Sequence, residues 1–157
     1  MNKEKFANIY SERFRFVWNI CLTLLRNPAD TEDAVQETFL RLYQLDNEMN
    51  SEEHLLAWLT VTARNVCRDE LRRSRRREIS LDFVKETEDS TPNIDETLTA
   101  VRNLPEKYRL PIYLYYYEEF STSQIATMLK RRESTVRSDL RRGREKLKKM
   151  LGGNEDE

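Results

Sequence analysis

Apolar side chains return at steps of three and four along most of this chain, and only 3 glycines and 4 prolines are present to interrupt them. Such steps place side chains on one face of an α-helix, whereas a half-buried strand would alternate. With 35% charged residues to cover the opposite faces, the sequence predicts an all-α fold. Its 157 residues allow one ordinary domain or two small ones. If the chain divides, each half is close to the size at which a hydrophobic core alone is marginally stabilising.

The period marks three helices in the first half. Phe6, Ile9, Tyr10, Phe14, Val17, Trp18, Cys21, Leu24 and Leu25 share a stripe, which predicts a helix from Lys3 to Arg26. Asn27-Pro28 stops it. Asp30 or Thr31 is placed to cap a second helix, with Glu32 and Asp33 in the first turn, where the helix dipole favours acids. Its apolar stripe is Ala34, Val35, Thr38, Phe39, Leu42 and Tyr43. The polar run 46–50 breaks the period. Ser51 then opens a third helix with Leu55, Leu56, Trp58, Leu59, Val61, Thr62, Val66 and Leu71 inward.

Residues 79–94 contain the acidic, small-residue run Thr87 to Pro92, with too little apolar surface to fold alone. Beyond it a short helix should end at Asn103, and Pro105 suits the first turn of the next. Pro111 should bend that helix or delay its start. Tyr113, Leu114, Tyr116 and Tyr117 are core or interface material. The expected organisation is two small helical domains, 1–78 and 95–157, joined by a flexible acidic linker, 79–94.

The second domain carries the sharpest motif. Ser121-Thr-Ser-Gln124 is a capping box that opens a short helix to Leu129, with Ile125, Ala126, Met128 and Leu129 apolar. Lys130-Arg131-Arg132 forms a turn. A longer helix follows from Glu133 to Met150, with Val136, Leu140, Gly143, Leu147 and Met150 or Leu151 inward. Ser134, Arg137, Ser138, Arg141, Arg142 and Glu145 face the other way. A short helix, a tight turn and a helix with a basic outer face make a helix-turn-helix. Arginine bonds guanine edges or phosphate in two-pronged fashion, and serine serves either surface. A solvated basic face is the plainer reading, but it leaves the turn and the core period unexplained.

Charge is distributed accordingly. The formal net charge of −1 conceals a stretch 81–101 with one lysine against six acids and a stretch 102–151 with 13 basic against six acidic residues. Residues 1–80 balance at 13 of each sign, but Arg64, Arg68, Arg72, Arg73, Arg75, Arg76 and Arg77 crowd the end of the third helix. Basic groups there complement the dipole, and Asp69 and Glu70 can pair with some of them. Seven arginines exceed that need, which favours phosphate tracking.

Other chemistries find little support. His54 is the sole histidine and makes no triad or metal set. Trp58 reads as core rather than a stacking platform. Cys21 and Cys67 are far apart without a C-x-x-C, which argues against zinc or a disulfide framework and for a reduced, cytoplasmic setting. No run approaches ~18 consecutive apolar residues, so no membrane insertion is expected. Asp30, Glu32 and Asp33 are grouped as a nuclease would need, but a helix start explains them better. No catalytic residue, cofactor or metal is expected.

These residues carry a resemblance. Asp30-Thr-Glu-Asp-Ala-Val-Gln-Glu-Thr-Phe-Leu-Arg-Leu-Tyr43 resembles region 2.2 of the extracytoplasmic-function (ECF) sigma factors of bacterial RNA polymerase. Ala57 to Asp69 with Leu71-Arg-Arg is similar to their regions 2.3–2.4. Leu104 to Arg109, Tyr115 to Glu118, and Gln124-Ile-Ala126 through Thr135-Val-Arg-Ser138 are similar to region 4. The ordered set covers nearly the whole chain.

The resemblance implies a promoter-specificity subunit without catalysis. Asp33, Gln36, Glu37 and Arg41 would meet the coiled coil of the polymerase's largest subunit. Asn50, His54, Arg64, Asn65, Arg68, Arg72 and Arg73 would engage the −10 element, with residues 46–53 carrying specificity. Lys130, Arg131, Arg132, Ser134, Arg137, Ser138, Arg141 and Arg142 would engage the −35 element. The second domain would also meet the polymerase flap, and the linker would thread the RNA-exit path. An anti-sigma factor, commonly membrane-anchored in similar proteins, is an expected partner that would hold the protein at the inner face of the membrane.

The chain departs from the family pattern at four positions. Lys130 and Arg132 stand where similar proteins place a glycine and a small cap, which should cost ~1 kcal/mol. Asp139 stands where a basic residue is common, and Gly143 where alanine is common. The competing reading is a stand-alone helix-turn-helix repressor. It accounts for the second domain but not for the helix Thr31–Tyr43.

Overall fold

The computed structural model describes residues 1–47, 49–80 and 96–152, with side chains of 76–80 left aside. Among the described residues there are seven helices and no strand, so the fold is all-α. The chain separates into two compact units, Met1–Glu88 and Asp89–Glu157. The expected linker lies outside the described residues, except for 79 and 80, which are the last residues of a helix.

The first unit packs α1 (Lys3–Leu25), α2 (Pro28–Tyr43) and α3 (Glu52–Ser80) pairwise against one another. Val17, Ile20 and Cys21 of α1 meet Val35, Phe39 and Leu42 of α2 and Leu59, Ala63 and Cys67 of α3 in a core with almost no exposure. Each large side chain so buried stabilises by roughly 1.5–3 kcal/mol. Tyr43, expected in the stripe, is 39% exposed, and Trp58 is half-buried. The Cys21 and Cys67 thiols are free and buried. The hydrogen bond between them, and then burial, pushes the Cys67 thiol up, so it stays protonated.

The start of α2 corrects the sequence reading. The cap is Asn27, whose side chain accepts from the Asp30 amide at 2.9 Å, not Asp30 or Thr31. Pro28 occupies the first turn, where a missing N–H costs nothing. Asn27-Pro28 therefore ends one helix and begins the next. Arg26 makes the reversal in left-handed conformation, φ 63°, with its amide on Leu22 O. Ser51 opens α3 as expected, its hydroxyl accepting from the His54 amide at 3.0 Å.

The second unit contains α4 (Glu96–Arg102), α5 (Glu106–Tyr116), α6 (Thr122–Leu129) and α7 (Glu133–Gly152). All three shorter helices pack on α7. Val101, Leu104, Ile112, Tyr113, Leu114, Ile125, Leu129, Val136 and Leu140 are nearly inaccessible. A Cβ added at Gly143 would lie 2.9 Å from Ile112 Cγ1, so the bare backbone there lets α7 approach α5 closely. Met150 and Leu151, one of which was expected to complete the inner face, are each 45% exposed.

Pro111 does not delay α5. The helix begins at Glu106, just after Pro105, and runs through Pro111 to Tyr116. Since proline has no N–H, it leaves the Lys107 carbonyl without its usual donor four residues on. That carbonyl accepts instead from Arg131 Nη1 at 3.3 Å, a long-range contact from the turn between α6 and α7.

Candidate functional site

The helix-turn-helix is built by α6 and α7. Its entry is the capping box read from the sequence: the Gln124 amide donates to Ser121 Oγ at 3.0 Å, and the Ser121 amide donates to Gln124 Oε1 at 2.8 Å. The Thr122 hydroxyl donates to Glu133 Oε2 at 2.6 Å and ties the start of α6 to the start of α7. Between them Lys130 takes the left-handed conformation, φ 58° and ψ 49°. A side chain there costs roughly 1–2 kcal/mol. Lys130→Gly should therefore stabilise the protein by about 0.5–1 kcal/mol, since part of the relief is returned as chain entropy. Urea unfolding followed by helical circular dichroism measures this, and an unchanged or lowered midpoint would refute it.

α7 turns Val136, Leu140 and Gly143 inward, all buried. Outward it presents Ser134, Arg137, Arg141 and Arg142, all exposed, with Ser138 half-buried beside them. Lys130 and Arg132 extend this basic surface into the turn. Arg137 lies 3.4 Å from Glu133, an exposed pair of neighbouring turns worth little. Such a face has the charge and the donor forks to lie in a DNA groove.

Arg131 is placed differently from its neighbours. It is half-buried, and its Nη1 donates to Asp139 Oδ2 at 3.0 Å as well as to the Lys107 carbonyl. Asp139 itself is buried. The anomalous acid in the long helix and the arginine of the turn thus satisfy each other. Nothing in local periodicity signals this, because the partners are 8 and 24 residues away.

In the first unit, Asn50 and His54 are exposed at the entry of α3, and Asn65, Arg68 and Arg72 are exposed further along it. Arg64 is half-buried. Arg72 lies 3.4 Å from Asp69, and Arg73 donates to Glu70 at 2.7 Å, the pairing expected along the helix. That hydrogen bond, and then the charge of Glu70, raises the Arg73 pKa. Arg73 is exposed, like Arg68 and Arg72. It lines a polar groove of about 630 Å³ between α2 and α3, with Asp30, Asp33, Glu37, Arg41, Asp69 and Glu70. Two of the four residues assigned to the exposed face of α2 thus lie close to it as acids, and Arg41 closes on Glu37 at 2.9 Å.

The same face of α2 carries a residue the sequence reading passed over. Leu40 is 48% exposed and falls one turn beyond Gln36 and Glu37. An apolar side chain ringed by Gln36, Glu37 and Arg41 is the composition of an interface centre with a polar rim. Its position off the buried stripe was the available signal. In the second unit, Val101, Ile112, Tyr116, Leu147 and Leu151 line a second groove of about 730 Å³, edged by Arg141, Arg144 and Lys148. Tyr113 and Leu114 are core, whereas Tyr115 and Tyr116 are exposed.

Among the described residues no group of three or more His, Cys, Asp or Glu could hold a metal ion. No helix among them is long and apolar enough to cross a membrane.

Comparison with known proteins accords with this geometry. The family model for Sigma-70 region 2 matches residues 9–77, and that for Sigma-70, region 4 matches residues 94–147. The chain is 37% identical over 142 residues to the ECF RNA polymerase sigma factor SigL of Mycobacterium tuberculosis, covering 84% of this chain and 80% of that protein. It is 27% identical to the ECF RNA polymerase sigma factor SigW of Bacillus subtilis, covering 96% and 90%. Among solved structures, the fold matches the sigma factor RpoE in complex with the anti-sigma factor NepR from Bartonella quintana, with TM-score 0.79, 22% identity and coverage of 96% and 99%. It also matches CnrH in complex with the cytosolic domain of CnrY, with TM-score 0.70, 20% identity and coverage of 98% and 91%.

Proposed function

The chain belongs to the ECF RNA polymerase sigma factors of the sigma-70 family, the subunits that direct core polymerase to promoters and start transcription, and on that premise we propose how its residues divide the task. α7 reads the −35 element through Ser134, Arg137, Ser138, Arg141 and Arg142, with Lys130 and Arg132 on flanking phosphates. The exposed residues of α3, Asn65, Arg68 and Arg72, engage the −10 element together with Arg64, and Asn50 and His54 lie at the loop that selects its sequence. The exposed face of α2, Asp33, Gln36, Leu40 and Arg41 with Glu37, docks on the coiled coil of the polymerase's largest subunit, and Arg73 sits nearer this face than the DNA face. The domain limits follow the same division, 1–78 for polymerase and −10 binding and 95–157 for −35 binding, with the acidic linker between.

The observation that carries the reading is the outward row of Arg137, Arg141 and Arg142 on a helix whose inner face is locked by Val136, Leu140 and Gly143. Those guanidinium groups lie outside the core, and the exposed Arg137–Glu133 pair contributes little to the fold. Catalysis is not part of the reading. An anti-sigma partner is, because a sigma factor of this fold, RpoE of Bartonella quintana, was solved bound to the anti-sigma factor NepR. The protein would then act in the cytoplasm, with such a partner able to hold it at the membrane. The second unit would also meet the polymerase flap.

Transcription in vitro with core polymerase and a library of promoter sequences tests the whole. Transcripts should begin only when the protein is added, downstream of two sequence blocks at fixed spacing. Specific nanomolar binding to free promoter DNA without polymerase would instead identify a stand-alone repressor. For the α2 face, Gln36→Ala with Glu37→Ala removes two polar contacts beside Leu40 and should reduce core polymerase co-purification severalfold. The Glu37–Arg41 pair is exposed, so melting should hardly change. Unchanged co-purification would remove this face from the interface.

A further inference from the structure

Among the described residues, Arg131 is the basic residue of the helix-turn-helix turn whose side chain is hydrogen-bonded to other helices. Its backbone amide donates to Ala126 O at 3.0 Å and ends α6. Its guanidinium reaches Lys107 O of α5 and Asp139 of α7. One residue therefore joins three helices of the second unit. Each contact has a physical cause. Lys107 O needs a donor because Pro111 has no N–H to offer it. Asp139 needs a cation because a buried carboxylate left unpaired is costly. The guanidinium, planar and permanently charged, can serve both from one position.

We propose that Arg131 and Asp139 form a clamp that sets the orientation of α7 on DNA, with Arg131 a positioning residue rather than a phosphate contact. The proposal rests on α7 reading the −35 element. It revises the assignment of Arg131, which charge alone would place on DNA with Lys130 and Arg132. Asp139 has two effects in this arrangement. It fixes the flank of α7 against the turn, and it keeps one positive charge turned away from the nucleic acid. The base-reading side chains then approach from one direction, and indiscriminate phosphate attraction is lower by one charge.

The two roles of Arg131 differ in a measurable way. A phosphate contact contributes about one unit to the slope of log affinity against log salt. A positioning residue contributes to sequence discrimination and not to that slope. The test uses full-length protein in holoenzyme, binding a promoter recovered from the library and the same promoter with a scrambled −35 element, across a salt series. Arg131→Gln should leave the salt slope unchanged while the preference for the intact element falls on the order of fivefold, a partial loss of one base contact. Asp139→Asn keeps the shape of the side chain but releases the guanidinium. It should steepen the slope by about one unit and lower the preference similarly.

A slope made shallower by about one unit in Arg131→Gln would show that Arg131 touches phosphate, and would overturn the clamp. So would full discrimination in both variants. Arg137→Ala, measured alongside, separates the clamp from the reading beneath it. If Arg137→Ala lowers the preference and the clamp variants do not, only the clamp fails. If Arg137→Ala also leaves the preference intact, α7 does not read this element and both fail.

Discussion

Arg137→Ala combined with Arg141→Ala will abolish transcription that depends on the upstream promoter element, while the protein stays folded and bound to polymerase. Both side chains are exposed, and the buried face of α7 is formed by other residues. Alanine is the strongest helix former, so α7 loses nothing by propensity. The exposed pair of Arg137 with Glu133 is worth at most about 1 kcal/mol. On DNA, each two-pronged contact to a base carries about 1–3 kcal/mol of discrimination, so the pair represents about 2–6 kcal/mol, a loss on the order of thirtyfold to ten-thousandfold. Melting temperature, polymerase co-purification and transcription from the selected promoter check the three parts. Wild-type transcription from the double variant would place DNA recognition elsewhere.

Two adjacent residues of α2 will fail in opposite ways. Phe39 is 2% exposed and packs on Tyr10 at 4.7 Å and Phe6 at 6.4 Å between ring centres. Phe39→Ala leaves a cavity and should cost about 3–5 kcal/mol. A small domain holds about 5–15 kcal/mol in all, so the first unit should melt on the order of 20 °C lower. Leu40→Ala removes a half-exposed side chain and should change stability by no more than about 0.5 kcal/mol. Its effect belongs to polymerase binding, which should weaken about tenfold if Leu40 is the apolar centre of that interface. Thermal unfolding and pull-down of core polymerase separate the two. Equal losses of stability would mean that α2 is rotated from the orientation described.

What was legible in the sequence follows from where information is local. Helical period found most of the inner faces of α1, α2 and α7, because burial repeats with the turn of the helix, but on α1 it took in Tyr10, which is 38% exposed, and passed over the buried Phe16 and Ile20. Side-chain caps were legible where the capping residue stood apart from a breaker, as at Ser51 and Ser121. At Asn27 the following proline suggested an ending, and the same two residues also make a beginning. Arg131 was illegible for a stronger reason. Its orientation depends on a missing amide hydrogen at Pro111 and on a buried acid one helix away, and neither leaves a trace in the composition of the turn. Leu40 was off the stripe, which says that it points outward, but choosing an interface by polarity passes over the apolar residue at its centre. Met150 and Leu151 keep the period of the inner face, yet each is 45% exposed in the last turn of α7.

The loop between α2 and α3 is held at both ends. Ser51 caps α3, and Glu52 is bound by Arg13 of α1, so the downstream end is fixed to the first helix. Upstream, the Leu45 amide still bonds to Leu42 O. Between these anchors Asp46, Asn47 and Asn50 are exposed, and none contributes to the core. Substitutions at those positions therefore leave folding free energy almost untouched. A lineage can revise this segment one residue at a time without an accompanying repair inside the bundle, and an engineer can graft a different loop onto the same two anchors. The two anchors are held by the bundle, and the segment between them is left open to divergence.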